Sequence, residues 1–289
     1  MLGALIIVFR EVVEAGLIVG IVLACTQAIP RRGVYISAGV LAGIIGAILV
    51  AIFAGSIAAA IEGSGQEIFN AAVLGIAVVM LAWHNVWMAR HGREMASELK
   101  ELGHAVREGS KTLLALAIVV AVAVLREGSE VALFLYGIVV SDKVSGPALL
   151  MGGLSGLALG AALSLLTYKG LIVIPMQHLF KVTTLLISFI AAGMAVQAVA
   201  YVQQADLVTG GPVVWNSSAI LPDASLLGRV LHTLLGYTDA PTALQLAVYL
   251  ATLAAIFVLM RLFSSGPRGQ SAHRETVSGH SAHPPAAAE

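Results

Sequence analysis

The sequence predicts an all-α, polytopic membrane protein with seven transmembrane helices. Of the 289 residues, 58% are hydrophobic and only 11% are charged, whereas about one quarter of an ordinary soluble domain is charged. Seven apolar runs reach the roughly 20 residues that a helix needs to cross a bilayer. The formal net charge is zero. We therefore expect membrane lipid around the chain and no nucleic-acid partner.

The predicted spanning segments follow one another with short polar or helix-breaking stretches between them. They cover residues 3–28, 35–61, 68–88, 112–140, 146–168, 180–203 and 242–263. A proline and two arginines separate the first two, and a longer polar link at 89–111 separates the third and fourth. Between the last two, Leu226 to Tyr237 mixes apolar and polar residues in the pattern of a helix lying on the outer membrane surface.

Lys and Arg residues are concentrated in alternate loops. They follow the first, third, fifth and seventh predicted helices, and five of them lie in 89–111, whereas the other loops are mainly acidic. Because basic loops stay on the cytoplasmic side, we expect the N-terminus outside and the C-terminus in the cytoplasm.

Two matching charged motifs lie inside the apolar runs. Arg10-Glu11-x-x-Glu14 is in the first predicted helix, and Arg126-Glu127-x-x-Glu130 is in the fourth, 116 residues later. A charged side chain in lipid costs at least a few kcal/mol. Residues three and four apart share a helix face, so each helix presents two carboxylates and an arginine that can hold one of them.

This pattern indicates a cation site. Carboxylate oxygens are hard ligands that suit hard cations. The six groups together carry a charge of −2, which a divalent or trivalent cation would largely neutralise. We predict Glu11, Glu14, Glu127 and Glu130 as the metal ligands, with Arg10 and Arg126 in supporting positions. The alternative is a pair of buried ion pairs that only fixes the first helix to the fourth.

The motif spacing and the expected orientation also predict an inverted repeat. The first helix runs inward and the fourth outward, and the second and fifth each carry glycines that favour close helix packing. We therefore expect a first three-helix repeat with its cytoplasmic linker (1–111), a second repeat (112–203), an outer loop with the seventh helix (204–263) and a disordered cytoplasmic tail (264–289).

Several residues are weaker candidates for metal binding. Glu62 and Glu67 would concentrate cations at an outer entrance, although a solvated loop explains them as simply. His84 lies between Met80 and Met88. It is either part of a second metal site with softer donor atoms or a packed histidine bonded to a neighbouring carbonyl. No nucleotide-binding, catalytic-triad or zinc-protease motif is present. We thus expect a transporter rather than an enzyme, with no permanently bound cofactor.

The two charged motifs resemble the Arg-Glu-x-x-Glu pair of the oxidase-dependent iron permeases, the iron/lead transporter family of fungi and bacteria. The resemblance extends to about Phe263 and includes Gly236-Tyr237-x-x-x-Pro241 before the last helix. It implies that the motif glutamates bind iron and that the protein imports it across the plasma (inner) membrane. It further implies that the iron arrives as ferric ion from an extracytoplasmic oxidase, peroxidase or iron-binding protein.

The sequence departs from the fungal pattern in one place. Fungal members carry an extracellular Asp-Ala-Ser-Glu motif, whereas here Asp223-Ala224-Ser225 is followed by Leu226, which fits a bacterial member better. Two other functions remain open: a permease for ferrous iron, manganese or lead, and a membrane redox subunit with His84 and His178 as haem or quinone ligands. A homo-oligomer also remains open.

Overall fold

The chain forms a bundle of α-helices in a computed structural model that describes residues 1–27, 29–60, 66–142, 145–170 and 176–264. Across these ranges there are eight helices and a single isolated β-bridge, between Val213 and Thr242. The helices are α1 (Leu2–Cys25), α2 (Arg32–Ala60), α3 (Gln66–Arg107), α4 (Leu113–Asp142), α5 (Gly146–Tyr168), α6 (Met176–Gln204), α7 (Leu226–Leu235) and α8 (Ala243–Ser264).

Each of the seven predicted segments coincides with a helix, namely α1 to α6 and α8, and the short amphipathic segment is α7. Within the described residues, five helices are long and apolar enough to cross a membrane: α2, α3, α5, α6 and α8. α1 and α4 are 24 and 30 residues long, but each carries the three charged residues of its motif. The chain is therefore an all-helical, multi-pass membrane protein.

The polar link predicted at 89–111 is instead mostly helix, because α3 continues to Arg107. This stretch contains no proline and is rich in Ala, Glu, Lys, Arg and Leu, which favour helix. At 42 residues, α3 is roughly 63 Å long, about twice the thickness of a bilayer core. It ends just before Gly109, whose φ of +78° is a conformation that glycine adopts without strain.

Two apolar clusters form the core. One joins Ile7 of α1 to Leu81 of α3 and Phe134 of α4, together with residues of α6 and α8. The other joins Val22 of α1 to Leu116 of α4, together with residues of α2 and α3. On both α1 and α4, residues on one side of the charged motif along the helix belong to the first cluster, and residues on the other side belong to the second.

The glycines of α2 and α5 allow two very close helix contacts. A Cβ on Gly43 of α2 would lie 2.7 Å from Cβ of Val124 on α4, and one on Gly156 of α5 would lie 2.5 Å from the carbonyl oxygen of Leu5 on α1. Gly39, Gly46, Gly152 and Gly160 make similar contacts. α2 therefore packs on α4 in the same way that α5 packs on α1.

We predict that Gly156→Ala destabilises the protein although alanine is the better helix former. Adding a methyl group to a closely packed contact costs about 1–3 kcal/mol, more than the roughly 1 kcal/mol that alanine contributes to helix propensity. Gly153→Ala is the matched control, since no atom lies within 4 Å of its added Cβ. Thermal unfolding in detergent should show a lower midpoint for Gly156→Ala only. Equal midpoints for the two variants would argue against this packing.

Candidate functional site

The charged groups of the two motifs meet inside the helix bundle. Arg10, Glu11 and Glu14 of α1 and Glu127 of α4 are at most 3% exposed, and the Glu130 side chain is 14% exposed. Buried charges are costly unless they are paired. Their helices are apolar on both sides of the motifs, so the packing that forms the core also encloses these groups.

Arg10 pairs with both carboxylates of its own motif. Its Nη1 donates to Oε1 of Glu11 at 3.1 Å, and its Nη2 lies 3.0 Å from Oε1 of Glu14. The sequence predicted that the arginine would hold one carboxylate, whereas its planar fork reaches two. Arg10 therefore fixes the positions of both acidic groups on α1.

Arg126 has a different environment although its motif has the same spacing. Its Nε donates to Oε1 of Glu130 at 3.1 Å, and its guanidinium lies 4.1 Å from the ring centroid of Trp87 on α3. The Arg126 side chain is 36% exposed, compared with 1% for Arg10. The stacking on Trp87 is a cation–π contact.

His84 of α3 lies between the carboxylates of the two motifs. Its Nε2 is 3.5 Å from Oε2 of Glu14 and 3.9 Å from Oε2 of Glu11, and its Nδ1 contacts Oε2 of Glu130. Of the two alternatives that the sequence left for His84, the one with a bond to a neighbouring carbonyl does not match these carboxylate contacts, and the metal site stays a prediction. Helix periodicity gave no distance between α3 and the other two helices, which is why the sequence placed His84 apart from the glutamates.

Four side chains can direct one donor atom each towards a common point. The donors belong to Glu11, His84, Glu127 and Glu130, and they all lie within 4.8 Å of one another. Donors bound to one ion at about 2.0–2.6 Å are at most about 5 Å apart. Oxygen Oε2 of Glu11 and that of Glu127 are buried without a hydrogen-bond partner. The cluster thus has the size and the free acceptors of a metal site.

The sequence missed one buried polar residue beside this cluster. Asn85 follows His84 on α3, is 1% exposed, and neither polar atom of its side chain has a hydrogen-bond partner. Buried amides are normally satisfied, and each exception calls for an explanation. The signal available in the sequence was the pair His84-Asn85 within an otherwise apolar run.

Apart from His84, the weaker candidates do not join the cluster where they are described. Glu62 and the tail from residue 265 lie outside the described residues, as does the side chain of His178. Glu67 is half-buried in the first turn of α3, about 26 Å along the helix from His84. It therefore lies away from the buried carboxylates.

The sequence departs from the fungal motif in the segment between α6 and α8, which is stabilised by hydrogen bonds among its own residues. Asp223 and Asp239 each accept a hydrogen bond from the other's backbone N–H, at 3.0 and 3.2 Å. Burial and the neighbouring charge of Asp239 raise the pKa of Asp223. Ser225 caps α7 by accepting from the N–H of Gly228 at 2.9 Å. Asp223 and Ser225 thus order the segment between α6 and α8.

These features define a multi-pass membrane protein with a buried cluster of carboxylates, one enclosed guanidinium group and one described imidazole. Ionisable residues within membrane helices mark ion pathways or binding sites far more often than they serve stability. The class that fold and cluster indicate together is a membrane transport protein for a cation.

The chain belongs to the iron permease FTR1 family, whose model matches residues 1–266. It is 32% identical to the ferrous iron permease EfeU of Escherichia coli O6:K15:H31 (strain 536 / UPEC) over 262 residues. These aligned residues make up 88% of this chain and 94% of the relative. The same protein of Shigella sonnei (strain Ss046) is 32% identical, covering 89% and 94%. That of Shigella flexneri is 34% identical over 199 residues, covering 68% and 84%. No solved structure matches the chain. The resemblance drawn from the two motifs is confirmed.

The unequal environments of the two arginines lead to a stability prediction. Arg10→Gln would leave two buried carboxylates without their partner, and breaking a buried pair costs about 3–5 kcal/mol. Arg126→Gln would remove a partly exposed pair and a stacking contact worth about 0.5–1 kcal/mol. We expect a much larger fall in the midpoint of thermal unfolding for Arg10→Gln, measured on the purified proteins in detergent. Equal shifts would contradict the contrast in burial.

Proposed function

We propose that this protein is a permease that imports ferrous iron across the plasma membrane through a site built by Glu11, Glu14, Glu127 and Glu130. The observation that carries the proposal is the meeting of carboxylates from α1 and α4 inside the bundle, where one donor atom each of Glu11, Glu127 and Glu130 lies within 4.8 Å of the others. Glu14 lies outside this converging group, beside Arg10 and His84. Family membership supports iron as the cargo. Arg10 and Arg126 position the carboxylates and reduce their mutual repulsion before the ion enters.

Two arguments favour ferrous over ferric iron. The curated relatives named above are called ferrous iron permeases. The four glutamates and two arginines sum to −2, so a divalent ion neutralises the set whereas a trivalent ion leaves an excess positive charge in a buried site. Ferric iron delivered by an extracytoplasmic oxidase, peroxidase or iron-binding protein is the second candidate, and the hard oxygen donors are the feature that favours it.

The membrane arrangement that we propose has seven spans, an outside N-terminus and two inverted repeats, 1–111 and 112–203. An axis that exchanges α1 with α4 and α2 with α5 converts the α2–α4 contact into the α5–α1 contact. The glycine packing of these two pairs supports such an axis. α1 and α4 then cross the membrane with their charges directed inward and paired. The last spanning helix is α8, and α7 lies at the outer surface.

The carboxylate site leads to a prediction for transport. Purified protein in liposomes should take up Fe²⁺ kept reduced with ascorbate, and should take up ferric citrate much more slowly. Glu11→Gln, Glu14→Gln, Glu127→Gln and Glu130→Gln should each abolish most of this uptake, because each removes a charge while preserving size. Glu11→Gln combined with Glu127→Gln should be hardly worse than either alone, since residues of one network are not additive.

Glu101→Gln is the matched control for these variants, because Glu101 is an exposed glutamate near the end of α3. It should transport at the wild-type rate. If the motif glutamates only fix α1 to α4, their variants will instead unfold more readily while the surviving protein transports normally. That pattern would rule out the carboxylate site, and faster ferric than ferrous uptake would overturn the choice of oxidation state.

The orientation leads to a second prediction. In a Cys25→Ala background, which removes the single native cysteine, Glu101→Cys places a thiol at an exposed position of α3. A membrane-impermeant maleimide should label it in inside-out vesicles but leave it unlabelled in intact cells. Labelling from outside intact cells would exclude a cytoplasmic end of α3 and the proposed inverted repeat with it.

A further inference from the structure

We infer that His84 determines which cations the site accepts, by adding a nitrogen ligand that favours Fe²⁺ over hard cations such as Ca²⁺, Mg²⁺ and Mn²⁺. The inference rests on the proposed function, since it assigns the selectivity of that same site. Among the four described side chains whose donors converge, His84 is the one that offers nitrogen.

The position of the ring supports direct ligation. The imidazole is 3% exposed and lies between the acidic groups of α1 and α4, with Nε2 at 3.5 and 3.9 Å from Glu14 and Glu11 and with Nδ1 against Glu130. Histidines that bind metals characteristically use one ring nitrogen for the ion and donate from the other to a carboxylate. Here Nε2 faces the carboxylates of α1, and Nδ1 lies against Oε2 of Glu130.

The chemistry of the donors explains what this nitrogen contributes. Sites built only from carboxylates suit Mg²⁺, Ca²⁺ and Mn²⁺, whereas imidazole suits iron and the later transition metals. Four glutamates without a histidine would therefore attract Fe²⁺ with little discrimination against these hard ions. An imidazole that binds a metal ion is neutral, so it changes the donor type and leaves the summed charge of the four glutamates and two arginines at −2. Its effect therefore falls on selectivity rather than on overall attraction for cations.

His84→Gln isolates this effect, because glutamine is neutral, has a similar reach and offers oxygen in place of nitrogen. In liposomes, the ratio of Fe²⁺ to Mn²⁺ uptake should fall by roughly tenfold or more, the scale of loss when one group around a metal site is removed. Competition by Ca²⁺ should become stronger. His104→Gln is the matched control, since His104 lies exposed on the same helix and contacts Arg107, and its ratio should not change.

A spectroscopic measurement tests ligation without relying on transport. Wild-type protein carrying one equivalent of Mn²⁺ should show ¹⁴N modulation in pulsed electron paramagnetic resonance. The modulation should be lost in His84→Gln and kept in His104→Gln. Wild-type protein prepared with ¹⁵N-histidine should also lose it, so the test holds even if the His84 variant folds poorly. Absence of ¹⁴N modulation in the wild type would overturn the inference, as would an unchanged uptake ratio in His84→Gln.

The glutamate variants separate this inference from the proposed function. If Glu11→Gln and Glu127→Gln transport Fe²⁺ normally, the carboxylate site itself fails and the role of His84 fails with it. If they lose uptake while His84→Gln keeps the wild-type ratio, the carboxylate site stands and only the selectivity role of His84 is wrong.

Discussion

The burial of Arg10 and of the four motif carboxylates within an apolar bundle is the constraint on which the rest of this structure depends. Charges removed from water are tolerated only where partners and hydrogen bonds replace the lost hydration. The partners come from three helices: Arg10 holds both acidic groups of α1, Arg126 holds Glu130, and His84 lies between the two sets. Apolar clusters on either side complete the enclosure.

The close helix packing follows from the same constraint. For the groups of α1 and α4 to meet, these two helices must lie side by side, and their outer faces must be covered. α5 covers α1 and α2 covers α4, and in both cases glycines let the backbones approach more closely than any Cβ would permit. In lipid, where helices gain little from the hydrophobic effect, such close packing is a main source of association.

The two motifs share a spacing but not an environment. Arg10 is fully enclosed and bridges two carboxylates, whereas Arg126 is 36% exposed and stacks on Trp87. α3 supplies His84 to the cluster. α6, its counterpart in the proposed repeat, brings no described histidine or acidic side chain there. The cluster is therefore asymmetric, and its one described imidazole comes from outside the repeated motif.

The sequence by itself determined the class of protein, the positions of the long helices and the faces of α1 and α4 that carry charge. Length, composition and a period of 3.6 residues decide these features within a single helix. Only the tertiary structure decided that Arg10 holds two carboxylates, that Arg126 is partly exposed, and that His84 lies among the glutamates. Those facts depend on the rotation, depth and separation of different helices. Packing contacts between residues far apart in the chain set these quantities, and the periodicity of one helix carries no information about them.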